Sequence, residues 1–160
     1  MRDKCFIAEH RGGFLKKEQH QLLMKWACQC SENVLNLIGE NCDNRLNKAL
    51  LVAHDWISGV ASVGDARKAS VDAIAVANAT TNAIVVAVAR SVGHAVATAH
   101  MADHSLRAAE YALKAVKSTG QSIEVERKWQ EEQLPPDIIE MVLYARKKIK
   151  INTIVKDADG

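Results

Sequence analysis

Three histidines and one aspartate gather around the end of the most apolar stretch of the chain. They are His94, His100, Asp103 and His104. His100 and His104 are four residues apart, so an unbroken helix would carry both imidazoles on one face, as in many two-histidine metal sites. His94 lies six residues before His100 and would point in another direction. With a further ligand from another helix, the group could hold a divalent cation.

The same residues have a structural explanation. Asp103 would cap a following helix, His104 would occupy its first turn, and His100 would hydrogen-bond to a carbonyl group at the junction. The two histidines lack the intervening glutamate of the zinc-protease motif. We favour the structural explanation, so we predict no catalytic residue, no cofactor and no enzyme activity. Metal binding, or a metal-dependent reaction, at these four residues is the alternative.

The segment that must position these residues is rich in alanine. Residues 66–117 contain 17 alanines in 52 positions, and Arg90 is the one charged residue between Ala73 and Met101. Alanine has the highest helix propensity and allows helices to pack closely. A helix that is apolar on nearly every side must be covered by other helices. We therefore predict an all-α, single-domain bundle of six or seven helices over residues 1–160, centred on Ala83–His100.

A competing interpretation makes residues 73–79 and 83–89 strands, because their valines and isoleucines favour extended structure. Seven alanines in these two segments favour helices instead. No hairpin turn separates the segments, which also argues against a pair of strands. The helical interpretation is the one that we carry forward.

The two ends of the chain are predicted to lie outside the centre of the bundle. Residues 1–16 form an ordered arm, because Arg11-Gly12-Gly13 interrupts any helix there. Residues 157–160 form a frayed tail. The basic run Arg146-Lys147-Lys148-Ile149-Lys150 is expected to be the solvated last turn of the final helix, where cations suit the negative end of the helix dipole.

Arg90 lies in line with His94 and Thr98 at helical spacing on the central helix. A buried charge is costly unless an opposite charge lies beside it. We therefore expect Arg90 to pair with a carboxylate, and the candidates are Asp55, Asp72 and Glu110. The alternative is that this polar stripe lines a pocket that recognises a ligand.

Composition argues against several classes of protein. The 21 basic and 19 acidic side chains are interspersed and give a net charge of +2, so no nucleic-acid interface is indicated. No apolar signal segment follows the first residues, and Arg90 and His94 interrupt the central apolar stretch, so no membrane partner is expected. The cysteines, at positions 5, 28, 30 and 42, lack zinc or redox spacing. We expect a cytoplasmic protein with reduced thiols.

Five stretches of the chain carry a resemblance to a known family. They are Met1–Lys4, His10–Gly13, Glu18–Ala27, Gly93–His104, and Glu126–Gln130 with the nearby Leu134-Pro135. Over about residues 1–145 the chain resembles a family of bacterial immunity proteins of polymorphic toxin systems. The resemblance implies a protein that binds a cognate toxin and blocks it without a reaction of its own. It supplies no site residues.

If the partner is a toxin, the charged segment around Trp129 offers contact residues. Many toxin nucleases are basic, and an acidic face would complement them, although the net charge of +2 departs from the acidic character of many antidotes. The candidates are Glu124, Glu126, Trp129, Glu131 and Glu132. Trp129 is either the apolar contact that holds its helix down or an exposed anchor for the partner. A third hypothesis is a homo-oligomer, since alanine-rich helices also pack between subunits.

Overall fold

The computed structural model describes residues 2–40 and 42–159, with side chains as far as Lys150. Within these residues the predicted all-α fold is confirmed, and the competing strand interpretation is wrong. The helices are α1 Lys17–Leu35, α2 Asn44–Ile57, α3 Val63–Asn78, α4 Ala83–Ala97, α5 His104–Ser118, α6 Ile123–Glu132 and α7 Pro136–Asp159. Short 3₁₀ turns lie at Lys4–Phe6, Glu9–Arg11 and Asn36–Ile38. Helix α7 includes residues 157–159 of the predicted frayed tail, and Gly160 lies outside the described residues.

The helices begin where capping residues occur in the sequence. The side chains of Asp43, Asn82 and Ser122 accept hydrogen bonds from backbone N–H groups in the first turns of α2, α4 and α6. Helix α3 begins at Val63. Ser62 caps it, and the Asp65 carboxylate accepts a hydrogen bond from the Ser62 N–H in return.

Helix α4 lies at the centre of the bundle and packs against α1, α2, α3 and α5. Its fully buried side chains are small or β-branched, as the alanine-rich sequence predicts; they are Val88, Ala89, Ser91, Val92, Ala95 and Val96. Gly93 lies close to α3, because a Cβ atom there would be 2.6 Å from Ile74 Cδ1. The Ser70 hydroxyl on α3 donates to the Gly93 carbonyl at 2.9 Å.

A buried polar cluster joins α1, α6 and α7. The Trp26 indole N–H donates to the Gln130 carbonyl at 2.8 Å, and the Gln130 side chain donates to the Ala109 carbonyl at 3.0 Å. Arg146 donates to Gln130 Oε1 and lies 5.2 Å from the Trp26 ring. The prediction of a solvated Arg146 is therefore wrong. This residue lies in the middle of α7 and faces the bundle, whereas the lysines that follow it are exposed.

The cysteines behave as small hydrophobic side chains where they enter the core. Cys28 and Cys30 are fully buried, and burial raises the pKa of each thiol. Cys5 is exposed and Cys42 is half-buried, and all four side chains, each of them in the described part of the chain, are free thiols. None of the helices in that part is long and apolar enough to cross a bilayer.

Candidate functional site

The connection between α4 and α5 brings two of the predicted histidines into direct contact. The Nδ1 atoms of His94 and His104 are 2.8 Å apart, so one ring donates a hydrogen bond to the other. The His100 ring lies 5.3 Å from that of His104, between centroids. The expectation that His94 points elsewhere assumed one continuous helix. The chain instead reverses after Ala97, and α5 returns along α4.

The detailed contacts of the structural explanation are only partly correct. His104 does occupy the first position of α5. Asp103 stands before it but makes no capping hydrogen bond, because its backbone is helical rather than extended. Its carboxylate instead lies 3.5 Å from the Arg2 guanidinium. The His100 ring makes no hydrogen bond among the described residues, and the imidazole that reaches a carbonyl at this junction belongs to His20.

The geometry of the histidine cluster favours a hydrogen-bonded pair over a metal site. The two facing Nδ1 atoms are 2.8 Å apart, which is a hydrogen-bond distance, whereas two nitrogens that each lay about 2 Å from a tetrahedral zinc ion would be about 3.3 Å apart. Across the described residues, no group of three or more His, Cys, Asp and Glu side chains is arranged to hold a metal ion. The cluster therefore fits a role in packing α4 against α5.

The surroundings of the histidine cluster, which consists of His94, His100 and His104, are positively charged. Burial, together with the positive charges of His104, Arg107 and Arg90, lowers the pKa of His94 to about 4. Burial also lowers the pKa of His104 and of His100, and nearby cations act in the same direction on both. These imidazoles are therefore neutral at pH 7, and the region has an excess of positive charge.

The structure places Arg90 beside an aromatic ring and not beside the carboxylate that we expected from the sequence. Its guanidinium lies 5.8 Å from the centre of the Tyr111 ring, on which His94 also stacks. It forms no ion pair within the described ranges, so the predicted pairing with Asp55, Asp72 or Glu110 is wrong. Arg90 is only half-buried, so water and the aromatic ring solvate its charge without a carboxylate.

We expect the protein to lose stability as the pH falls from about 6.5 towards 4. The unfolded chain binds a proton at His94 near the ordinary pKa of 6.5, but the folded chain binds it only near 4. The unfolded state thus holds more protons in this window, so the stabilisation present above pH 6.5 is lost progressively below it. Urea unfolding at a series of pH values measures the slope.

The variant His94→Phe tests the origin of this slope, because it keeps an aromatic ring against Tyr111 but cannot titrate. We expect it to flatten the dependence of the unfolding free energy on pH. His54→Gln is the control, since His54 is an exposed residue that pairs with Glu32 at 2.7 Å, away from the cluster. A slope that persists unchanged in His94→Phe would contradict the assignment.

A cleft between the N-terminal arm and the bundle was missed by the sequence analysis. It encloses about 630 Å³ and is lined by residues of the arm, of the first turn of α1, and of the α4–α5 connection. We call it the arm cleft. Its apolar lining comprises Phe6, Ile7, Ala8, Leu15, Trp56, Val63, Ala99 and Ala102. Its charged and imidazole lining comprises Arg2, Glu9, His10, Arg11, Lys16, Lys17, Glu18, His20 and His100.

Two consecutive glycines fix the shape of the arm that forms one wall of this cleft. Gly12 has φ +88°, a conformation that side chains rarely allow. At Gly13 a Cβ atom would lie 2.0 Å from the carbonyl oxygen of Ile7. The chain folds back here, and Leu15 N–H donates to the Ile7 carbonyl at 3.0 Å. The Gly-Gly pair beside basic residues was the sequence signal for this structure.

His20 joins the cleft to the bundle. Its Nε2 donates to the carbonyl of Thr98 at 2.5 Å, which ties α1 to the α4–α5 connection. Its ring lies 4.9 Å from that of Trp56, so the two rings form adjoining parts of the cleft lining. Burial lowers the pKa of His20, although the hydrogen bond to the Thr98 carbonyl acts in the opposite direction.

The predicted contact residues on α6 are largely engaged within the chain. Three of the four carboxylates have intramolecular partners: Glu124 with Arg127, Glu126 with Asn33, and Glu131 with Arg146. Glu132 is exposed and has no ion pair in the part of the chain that the structure describes. Trp129 is half-buried. The acidic surface of α6 is therefore weaker than its composition indicates.

One comparison with known proteins gives a match. The model of a family described as "Imm-5 like putative immunity protein" matches residues 13–137. The matched segment begins at the second glycine of the arm and reaches the first turn of α7, so it includes α1 to α6 in full. No curated protein and no solved structure matches the chain.

Proposed function

We propose that this chain, which belongs to the Imm-5-like immunity protein family, binds one cognate toxin in the cytoplasm and neutralises it by stoichiometric association. The family match over residues 13–137 is the observation that carries the proposal. In this mechanism the protein catalyses no reaction. It inhibits by covering a surface that the toxin needs, and the toxin dissociates slowly.

The helical bundle suits such a role because its binding surface is formed before the partner arrives. A stable protein complex buries about 800 Å² on each partner. The surface of the described chain measures 9142 Å², so an interface of ordinary size needs about a tenth of it. Side chains that rigid helices already hold in place lose little conformational entropy on binding, which favours affinity.

The test uses the protein encoded by the adjacent open reading frame, a position in which we expect the toxin gene. Co-expression of this chain should restore growth of cells that produce that protein, and the purified pair should form an equimolar complex. Size-exclusion chromatography with light scattering measures the complex and also shows whether the free chain is a homo-oligomer. The control is co-expression of the same gene with an early stop codon.

Two results would contradict the proposal. The first is the absence of both a complex and growth rescue. The second is neutralisation by a small fraction of an equivalent, because a stoichiometric inhibitor cannot act below equal amounts, whereas an enzyme can. Either result would reopen the metal-dependent alternative at His94, His100, Asp103 and His104.

The α6 surface predicted from the sequence is a separate proposal for part of the contact. The variant Glu132→Lys tests this contact best, since Glu132 is exposed and forms no ion pair with the residues that the structure describes. Slower association of this variant with the partner would support a contact at α6.

A further inference from the structure

We infer that the arm cleft receives an acidic segment of the partner protein, with an apolar side chain against its lining and carboxylates beside its cations. This inference rests on the proposed function, since it names the surface that the partner contacts. The contact with the partner is thus assigned to the N-terminal arm, whereas the sequence predicted it on α6.

The charge of the cleft is the first argument. Its lining includes four permanently charged cations, Arg2, Arg11, Lys16 and Lys17, against two carboxylates. Arg11, Lys16 and Lys17 are exposed and form no ion pair with any residue that the structure describes. The N-terminus of α1, at Lys17, adds the positive end of its dipole to the same wall. An incoming carboxylate therefore meets unpaired positive charge.

The positive charge extends across the cleft to the α4–α5 connection. Arg67 and Arg11 both lower the pKa of His100, in addition to the effect of burial, while Asp103 acts in the opposite direction. The Asp103 carboxylate is itself close to Arg2. The acidic groups near this end of the bundle thus offset only part of its charge, which favours an anionic partner segment over a basic one.

The shape of the cleft is the second argument. Phe6 and Leu15 anchor the arm in the core, where they are 3% and 2% exposed. The Gly12-Gly13 turn fixes the wall, so the cleft requires little reorganisation to accept a ligand. A volume of about 630 Å³ is sufficient for several side chains.

The combination of an apolar lining with cations on one side distinguishes the two main kinds of anionic partner. A double helix is bound by cations that follow its regularly spaced phosphates, and a single strand also needs free aromatic faces on which its bases stack. Here the cations stand beside an apolar surface that is mostly aliphatic, and the ring of Trp56 within it already contacts the ring of His20. A peptide that carries carboxylates next to an aliphatic or aromatic side chain complements both parts, so we choose a protein segment as the occupant.

The charge reversal Lys16→Glu/Lys17→Glu tests the inference. We expect the rate constant for association with the product of the adjacent open reading frame to fall at least about tenfold, because these charges steer an acidic partner. The effect should be largest at low salt, where charges are least screened. The matched control is Lys117→Glu/Lys147→Glu, which makes the same change in net charge at two exposed lysines outside the cleft. Biosensor kinetics measure both variants.

The outcomes separate this inference from the proposed function. If the wild-type chain and both variants bind the partner equally fast, the partner is confirmed and the cleft assignment is wrong. If only the cleft variant is slowed, and its circular dichroism spectrum and unfolding midpoint match those of the control, the assignment is supported. If the wild-type chain does not bind the partner, the proposed function is wrong. A second measurement then tests whether the cleft binds an acidic segment.

The second measurement titrates the wild-type chain with a short peptide of alternating glutamate and leucine. We expect the imidazole NMR signals of His10, His20 and His100, which line the cleft, to shift, while that of His54 stays in place. The Lys16→Glu/Lys17→Glu variant should show smaller shifts. An absence of shifts in the wild-type chain would overturn the inference. So would a single-stranded oligonucleotide that binds in the cleft more tightly than the peptide.

Discussion

Replacing Trp26 by alanine should lower the free energy of unfolding by about 3–5 kcal/mol. Trp26 is fully buried, so the substitution removes its apolar contacts and leaves a cavity between α1, α6 and α7. It also leaves the carbonyl of Gln130 without the indole N–H that bonds to it at 2.8 Å. In addition, the guanidinium of Arg146 loses the ring beside which it is buried. Urea unfolding followed by circular dichroism measures the loss.

Two further variants separate the contributions to this effect. Trp26→Phe keeps most of the volume but removes the hydrogen bond, so it should cost about 1–3 kcal/mol. Trp129→Ala is the matched control, because it makes the same change of residue at a half-buried position on α6 and should cost clearly less than Trp26→Ala. Equal costs for Trp26→Ala and Trp129→Ala would contradict the role given to the buried polar cluster.

This cluster shows what the sequence can and cannot reveal about packing. Helix α6 is mostly charged, and from the sequence Trp129 was expected to be either the apolar contact that holds this helix against the bundle or an exposed anchor for a partner. In the structure Gln130 is the buried residue of α6, and it holds the helix through hydrogen bonds to Ala109, Trp26 and Arg146. A glutamine in a charged segment cannot be recognised as buried from the sequence, because its burial depends on hydrogen-bond partners that are distant in the sequence.

The helical architecture was predictable because its signals are local. The alanine-rich centre, the capping side chains of Asp43, Asn82 and Ser122, and Pro136 at the start of α7 each act within a few residues. The pairing of His94 with His104 was not predictable in the same way. It depends on the angle at which the chain reverses after Ala97, which helix periodicity does not describe.

The arm cleft was harder to predict from the sequence than the helices were. Its charged wall comes from the first seventeen residues of the chain, and its opposite side comes from Trp56, Val63 and residues 99–102. Nothing in the spacing of these residues indicates that they meet. The net charge of the chain does not reveal the local excess of cations at the cleft. The value of +2 is a sum over a positive end of the bundle and acidic residues elsewhere. Part of the basic character that departs from that of an acidic antidote therefore lies where we propose that the partner binds, since the cleft lining carries four cations against two carboxylates.

Replacing Gly93 by valine should destabilise the fold by about 3 kcal/mol, at the upper end of the range for overpacked cores. A Cβ atom at Gly93 would lie 2.6 Å from Ile74 Cδ1 and 2.8 Å from Ile74 Cγ1, and the two added methyl groups would extend further into α3. The half-buried side chain of Ile74 must then move aside, and any clash that remains separates the helices. Separation weakens the hydrogen bond from Ser70 to the Gly93 carbonyl and loosens the contact between α3 and α4.

Gly64→Val is the matched control for this prediction. Gly64 is exposed in the first turn of α3, and the nearest atom to a Cβ there is Ser62 Oγ at 3.6 Å, which is an ordinary contact. We expect its unfolding free energy to remain within about 0.5 kcal/mol of the wild-type value. If Gly93→Val is tolerated as well as Gly64→Val, then the contact between Gly93 and the Ile74 side chain is not tight in solution.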